Sequence, residues 1–240
     1  MVCCLCKLDR ELKNSHILPE FFYKPMYDNK HRFFALSPDP NERNRILRKG
    51  LREKLPCCDC EQKLSMYEKY VRDLLYGGVK FEVSQDRRTS YLTNVDYKKV
   101  RIFYISVLWR MSIASLEFFK NVNLGQHEEK LRIMILNENP GEPDQYGFLC
   151  FAPLFDDNAL GDWLLQPDYV RLQQHRVYRA LIGGLLYLYF VSSHNVSDII
   201  KKRFVQKNGD WFITAEKIRD ISFLDKTLAQ LSKAQKSRKS

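Results

Sequence analysis

Two short stretches, "CCLC" at residues 3–6 and "CCDC" at residues 57–60, decide how this chain must fold. Each contains a Cys-x-x-Cys pair, a turn that points both thiolates at one metal ion. Zinc prefers four ligands in a tetrahedron, so two pairs complete one closed, structural site. The candidate ligands are Cys3, Cys6, Cys57 and Cys60. We therefore expect a structural Zn²⁺ to join two segments that lie far apart in the sequence.

Other uses of these cysteines are a redox dithiol, or buried free thiols that pack as small hydrophobic side chains. The redox alternative is weaker, since nothing around Cys3 suggests a strand leading into a helix. Cys4 and Cys58 are adjacent to the pairs and could compete as ligands. Cys150, within the apolar "GFLCFAPLF", is predicted to be a core residue.

Length and composition fit a globular protein with a polyanionic partner. The chain has 240 residues, enough for one large domain or for a small module joined to a medium one. Its net charge of +10 favours nucleic acid or an anionic surface. Met1 leads directly into cysteines, without the pattern of a signal peptide. The longest apolar run, at 180–191, is shorter than the ~20 residues that cross a bilayer. We expect a cytoplasmic protein that does not contact membranes.

The order of motifs around the cysteines predicts a compact module in the first 75 residues. His16 lies in the extended segment "NSHILP", and a basic loop follows at 41–54. After the second cysteine pair, apolar residues recur at helical spacing up to Gly77. A metal ion would hold the start of this helix against the extended segment, because so small a unit has little core of its own.

This pattern resembles HNH endonucleases, which share a treble-clef, ββα-metal core. The matching residues are the Cys3/Cys6 pair, Ser15-His16-Ile17-Leu18-Pro19 and the Cys57/Cys60 pair followed by Glu61. The "SHIxP" and "CxxCE" forms, with a later "LWR" as at 108–110, resemble a variant in bacterial proteins without an assigned activity. The resemblance covers about the first 75 residues. It implies an α+β chain in which a zinc-stabilised treble-clef module precedes a larger mixed domain.

The resemblance also implies a reaction. His16 would act as the general base that takes a proton from the attacking water, as its ordinary pKa of ~6.5 allows. A catalytic Mg²⁺ or Mn²⁺ would be held by the residue before the base and the residue after the last cysteine, here Ser15 and Glu61. Glu61 is a good ligand for such an ion, whereas Ser15 puts a neutral hydroxyl where the family has a carboxylate or imidazole.

A second departure concerns the family's middle Asn, which orients the base. Arg52 occupies that offset, and Asn41 or Asn44 could substitute from the loop. A structural interpretation also remains for both catalytic candidates. His16 could bond a backbone carbonyl or bind zinc, and Glu61 could simply favour the N-terminus of the helix. Glu20 and Glu68 are further acids near the predicted site.

The basic loop at 41–54 carries six Lys or Arg residues and two acids. Such a run is usually a solvated surface, but beside a phosphodiester site it would neutralise backbone phosphates. The residues predicted to contact nucleic acid are Arg48, Lys49 and Arg52. Tyr23, Phe33 and Phe34 could stack on bases, although core packing is favoured for each.

Beyond the module, residues 76–95 predict a β-hairpin or linker and 96–230 an α+β domain that recognises a substrate or protein partner. A buried helix is predicted over 100–119, with Arg110 paired to a carboxylate of the same domain in preference to a phosphate. Strands are predicted around 147–155 and 176–192, with an all-helical alternative for 169–192. The basic tail at 231–240 is predicted to be loose.

Two functional hypotheses follow from the sequence. The first is a metal-dependent endonuclease that hydrolyses phosphodiester bonds in DNA, in bacterial defence against foreign DNA, with a protein partner on the C-terminal domain. The second is a zinc-stabilised nucleic-acid-binding or adaptor protein without catalysis. The sequence does not distinguish DNA from RNA as the partner.

Overall fold

The computed structural model describes residues 1–240 except 37–40, 42, 78–81, 84–87, 193 and 238–240, and only the backbone of residues 82–83. It is a mixed α+β fold. The helices are α1 Cys58–Tyr76, α2 Tyr97–Ile113, α3 Gln126–Leu136, α4 Asp198–Lys201 and α5 Ser222–Ser237. The first six strands are β1 Leu12–His16, β2 Arg32–Ala35, β3 Arg45–Arg48, β4 Arg52–Cys57, β5 Glu82–Val83 and β6 Thr89–Leu92. The other six are β7 Phe148–Phe155, β8 Asn158–Ala159, β9 Asp168–Leu172, β10 His175–Ile182, β11 Leu185–Val191 and β12 Trp211–Lys217.

The N-terminal part is built on β1, β4 and α1. Strand β1 pairs antiparallel with β4, with His16 opposite Arg52. Helix α1 begins immediately after β4, and Cys57 is its N-cap. Asp59 and Glu61 lie in the first turn, where negative charge is favoured by the helix dipole. The segment between the two strands forms a second antiparallel hairpin, β2–β3.

The remaining strands form one sheet in the order β5-β6-β12-β7-β11-β10-β9, with β8 added beside β7. Strands β12 and β7 are parallel, and the other pairs are antiparallel. Helix α2 packs against both α1 and α3. Asp96 caps α2 by accepting a hydrogen bond from the backbone N–H of Lys99 at 2.9 Å. Every residue from Val100 to Met111 is buried, because α2 has neighbours on all sides.

Buried residues on both sides of the predicted module boundary belong to one hydrophobic cluster. Phe22 and Phe103 are 6.2 Å apart between ring centroids, and Tyr104 of α2 lies 4.8 Å from Tyr187 of β11. The cluster includes Cys3 of the first cysteine turn and Trp211 of β12. The N-terminal part is therefore packed on the α2 side of the large sheet.

The structure confirms the α+β class, the strands at β7, β10 and β11 and the antiparallel pairing of β5 with β6. It excludes the all-helical alternative for 169–192, since that segment contains β9, β10 and β11. Three predictions are wrong in detail. The buried helix ends at Ile113, the basic loop contains β3 and the start of β4, and α5 continues into the predicted loose tail as far as Ser237. In the part of the chain that the structure describes, no helix has the length and apolar character needed to cross a membrane.

Candidate metal centre and active site

The four predicted zinc ligands meet at one point. The Sγ atoms of Cys3, Cys6, Cys57 and Cys60 all lie within 4.8 Å of one another. Cys6 Sγ and Cys57 Sγ are 3.9 Å apart, close to the ~3.8 Å between sulfurs in a tetrahedron with Zn–S bonds of about 2.3 Å. These residues could hold a metal ion such as zinc. Cys58 is exposed and Cys4 does not join the cluster, so neither competes as a ligand.

The backbone favours a thiolate at one cysteine of the cluster. Burial opposes ionisation of Cys3, but backbone N–H groups of Cys6, Cys57 and Leu5 donate to its sulfur and lower its pKa to about 7. The Cys57 N–H lies 3.2 Å from Cys3 Sγ. The first cysteine turn is fixed from outside by Arg132 of α3, which donates to the carbonyl of Leu5 and pairs with Glu129. Burial raises the pKa of Cys6 and of Cys60, so among these three cysteines a lowered pKa is confined to Cys3.

His16 is the last residue of β1, at the junction of the β1–β4 hairpin with the buried Ile17-Leu18-Pro19 segment. Its imidazole is partly buried, with 14% of the side chain exposed. Burial lowers the pKa of His16, and the positive charge of Arg52 lowers it further. The ring is therefore neutral at physiological pH, as a general base must be.

Two groups compete for one nitrogen of this ring. Arg52 Nε donates to His16 Nε2 at 2.9 Å, and the Lys49 carbonyl oxygen lies 3.1 Å from the same atom. The arginine needs a lone pair on Nε2, whereas the carbonyl needs a proton there, so the two contacts belong to different tautomers. When Nε2 carries the proton and donates to Lys49, Nδ1 holds the lone pair and can accept a proton.

The two residues predicted to hold the catalytic cation are in contact. Ser15 Oγ donates to Glu61 Oε2 at 2.6 Å, from β1 to the first turn of α1. Ser15 is buried, whereas Glu61 is partly exposed. The cation positions implied by the resemblance therefore lie side by side, and one of them, Ser15, directly precedes His16. A buried hydroxyl that donates its proton to Glu61 presents its own oxygen lone pairs to any neighbouring cation.

Sequence reasoning missed the group that fixes the backbone of His16. Arg110 Nη1, from α2, donates to the His16 carbonyl oxygen at 3.0 Å and to Glu68 Oε1 at 2.7 Å. Arg110 is 2% exposed, so Glu68 neutralises a buried charge. Burial raises the pKa of Glu68, and Arg110 opposes that rise. The preference for a carboxylate partner of Arg110 was correct, but Glu68 comes from the N-terminal module and not from residues 96–230.

Gly50 permits the close packing around the imidazole. Its φ is +65°, a conformation that favours glycine, and a Cβ there would lie 2.9 Å from both His16 Cδ2 and Tyr23 Cε2. Tyr23 is fully buried, and its hydroxyl accepts a hydrogen bond from the Leu51 N–H at 3.3 Å. A side chain at position 50 would push against the base. The sequence signal was the glycine itself, within an otherwise basic segment.

The basic residues divide into two groups. Arg48 and Lys49 are exposed at the end of β3, as a nucleic-acid contact requires. Arg52 instead contacts His16 and Glu20, whose carboxylate lies 3.4 Å from Arg52 Nη2. The guanidinium at the offset of the family's middle Asn therefore reaches the histidine. Asn44 exchanges hydrogen bonds with Gln235 of α5 at 3.3 and 3.4 Å.

The aromatic residues near the site also differ from one another. Tyr23 and Phe33 are buried, as predicted. Phe34 is 63% exposed, so the expectation that it packs in the core is wrong. It faces Ile46 across the β2–β3 hairpin, and Ile46 is also exposed. Alternation along β2 places one phenylalanine inward and the next outward.

Comparisons with protein-family models, with curated proteins and with solved structures found no match for this chain.

Proposed function

We propose that the protein is a metal-dependent endonuclease that hydrolyses phosphodiester bonds in DNA. The hydrogen bond between Ser15 and Glu61 is the observation that carries this proposal. It joins the two residues at the cation positions of the HNH pattern, one of which directly precedes His16. The order of cysteine turn, β1–β4 hairpin, second cysteine pair and α1 supports a zinc-stabilised treble-clef module around them.

In the proposed reaction, His16 Nδ1 takes a proton from water, and the resulting hydroxide attacks phosphorus. The P–O bond to the leaving sugar oxygen breaks, and that oxygen takes a proton from solvent. His16 Nε2 meanwhile donates to the Lys49 carbonyl, which fixes the ring orientation and the tautomer. Arg110 holds the His16 backbone, so the base is positioned from both its ring and its main chain.

The residues present fit a hard divalent cation. Mg²⁺ is commonly bound through one or two carboxylates together with waters and substrate phosphates. Glu61 supplies one carboxylate, and the Ser15 oxygen lies beside it. When bound, such a cation neutralises the scissile phosphate and the developing charge on the leaving oxygen.

The β2–β3 hairpin is the proposed contact with the DNA strand. It carries exposed Arg45, Arg48 and Lys49, and its outward face presents Phe34 and Ile46. Basic side chains bind backbone phosphates regardless of sequence, and an exposed aromatic ring can stack on an unpaired base. The hairpin lies in the chain between β1 and β4, so its basic end is connected directly to the strand that begins with Arg52.

Plasmid nicking tests this function. Wild-type protein with Mg²⁺ or Mn²⁺ should convert supercoiled plasmid to open circles, and chelation should stop the reaction. His16→Ala and Glu61→Gln should each reduce the rate by at least about a hundredfold, as removal of a general base or a metal ligand does. Arg203→Gln, an exposed change outside the site, is the matched control. Equal nicking by wild type and His16→Ala would reject the assignment of the base.

A second candidate function is a zinc-stabilised nucleic-acid-binding or adaptor protein without catalysis. The contact of Arg52 with His16 Nε2 favours it, because that tautomer places the proton on Nδ1 and removes the base. Binding of labelled DNA without strand breaks in either metal would select this function. Either function is compatible with bacterial defence against foreign DNA and with a protein partner on the C-terminal part.

A further inference from the structure

A basic pocket lies on the large sheet, outside the site described above. Its volume is about 380 Å³, within the range of roughly 300–1,000 Å³ of small-molecule sites. It is formed by the β9–β10 hairpin, the end of β11 and the N-terminal turn of α3. The basic residues that line it are Arg171, Arg176, His127 and His194, and no lining residue is a carboxylate.

Two arginines face each other across this hairpin. Arg171 of β9 and Arg176 of β10 are directly paired in the antiparallel register, so their side chains project from the same face. Among the described residues, neither has a carboxylate partner. Arg176 reaches only the Asn123 carbonyl oxygen at 3.4 Å and the ring of Tyr169 at 5.0 Å. Like charges directly opposite each other destabilise a sheet, so an anionic ligand would relieve a cost built into the fold.

The same hairpin shows how such a charge is otherwise balanced. Three positions from Arg176, Arg179 is paired in register with Asp168. The two side chains form a bidentate ion pair, with Arg179 Nε 2.7 Å from one carboxylate oxygen. This hairpin therefore balances one of its arginines with an acid on the opposite strand. At the pocket, the position opposite Arg176 holds a second arginine.

We propose that this pocket binds the phosphomonoester of a nucleotide, either a free mononucleotide or the 5′-phosphate at the end of a strand. A phosphomonoester carries a charge of about −1.5 to −2 near pH 7, which two guanidinium groups balance. An internal phosphodiester carries only one charge and would leave the pair of arginines in excess. Guanidinium groups also donate to phosphate oxygens in a bidentate geometry.

Further donors line the same pocket. His127 Nδ1 lies 3.0 Å from the Tyr146 hydroxyl, and a hydroxyl that donates to Nδ1 leaves the proton on Nε2. His127 is in the first turn of α3, where the helix dipole adds positive potential and the acids Glu128 and Glu129 oppose it. Leu124 and Val191 also line the pocket, but both are almost fully buried, so the accessible lining is mainly polar.

Calorimetry with AMP and adenosine tests the pocket. AMP should bind to wild-type protein, adenosine should not, and Arg171→Gln should weaken AMP binding at least about tenfold. Arg203→Gln, which removes one exposed charge elsewhere, should bind AMP as wild type does. The proposal would be overturned if both variants weakened AMP binding equally, or if AMP and adenosine bound equally well. It would also be overturned if neither AMP nor a short strand with a 5′-phosphate bound.

Two further measurements separate the sources of the phosphate and protect against misfolding. The first measurement uses a short single strand with a 5′-phosphate. If it binds more tightly than both AMP and the same strand with a 5′-hydroxyl, the ligand is a strand end. If it binds no more tightly than AMP, the ligand is a mononucleotide. Without ligand, Arg171→Gln should be at least as thermally stable as wild type, because it removes the repulsion with Arg176. His16→Ala should retain AMP binding, so this proposal stands or falls separately from the nuclease.

Discussion

Ser15 and Glu61 are separated by 46 positions in the sequence, yet the serine hydroxyl donates to the carboxylate at 2.6 Å. This contact depends on β1 lying against the start of α1, and the four cysteines join the chain at the same end of that helix. The structural metal cluster and the candidate cation site are therefore parts of one arrangement. Separate substitutions can test each part.

Cys60→Ser should remove the metal, whereas Cys58→Ser should retain it. Cys60 is a member of the buried cluster, while Cys58 is exposed and two residues away. Metal content by mass spectrometry and helix content by circular dichroism provide the measurements. Because metal-binding free energy is folding free energy in such modules, Cys60→Ser should also lose helix signal. Stoichiometric zinc in Cys60→Ser would show that the four-cysteine site is wrong.

Ser15→Asp should strengthen cation binding. Without metal, the new carboxylate beside Glu61 should lower the melting temperature, since two like charges then share a buried site. Mn²⁺ should raise the melting temperature of this variant more than that of wild type, because a cation relieves the repulsion. Ser65→Asp adds the same charge at an exposed position of α1 and serves as the control. Equal Mn²⁺ shifts in both variants would contradict the shared cation site.

Gly50→Ala should displace His16. The added Cβ meets His16 and Tyr23 at 2.9 Å, and the positive φ adds strain of about 1 kcal/mol. Gly125→Ala is the control, since Gly125 also has positive φ but no heavy atom lies within 4 Å of where its Cβ would be. Both variants should lose stability, but only Gly50→Ala should shift the His16 ring resonances and abolish nicking. Unchanged His16 resonances in Gly50→Ala would contradict the packing described.

Arg52→Met should favour the tautomer with the proton on His16 Nε2. Without the guanidinium, the Lys49 carbonyl is the remaining partner of that nitrogen. Ring ¹⁵N chemical shifts report the tautomer directly, with Arg203→Met as the control. If Nδ1 is the base, nicking per folded molecule should be retained or increased. A proton that stays on Nδ1 in Arg52→Met would contradict the assigned competition.

Glu68→Gln should cost about 3 kcal/mol of unfolding free energy, measured in urea. It leaves Arg110 buried without its counter-charge, a loss of about 3–5 kcal/mol in other proteins. Burial raises the pKa of Glu68, which means that the buried ionised carboxylate itself costs free energy. The favourable energy of the ion pair is reduced by that cost, so the lower end of the range applies. Glu11→Gln, whose side chain is 84% exposed, should have almost no effect. Equal losses in the two variants would contradict a buried ion pair.

Local chemistry predicted the metal cluster and several elements correctly. Cys-x-x-Cys spacing identified all four cluster residues, and helical periodicity identified α1 to its C-terminus near Gly77. Alternating and continuous apolar runs identified β7, β10 and β11. These signals depend on neighbouring residues, so the sequence contains them directly.

The arginines show what such signals do not contain. The basic segment predicted three phosphate contacts, but Arg52 contacts His16 because β4 pairs with β1. The pocket arginines were also missed, although "RLQQHR" at 171–176 has a detectable signal once a two-residue turn is placed at Gln173 and Gln174. That turn sets the register and hence puts Arg171 opposite Arg176.

By itself, the sequence determined which residues could bind a metal, the helix α1 and the strands β7, β10 and β11, and that a histidine and a glutamate accompany the cysteines. Only the tertiary structure decided that Ser15 meets Glu61, that Arg110 holds the His16 backbone and that two arginines face one pocket. The physical reason is that residue type fixes chemistry and local conformation. Partners distant in the chain are chosen by strand register and by how the shared core packs.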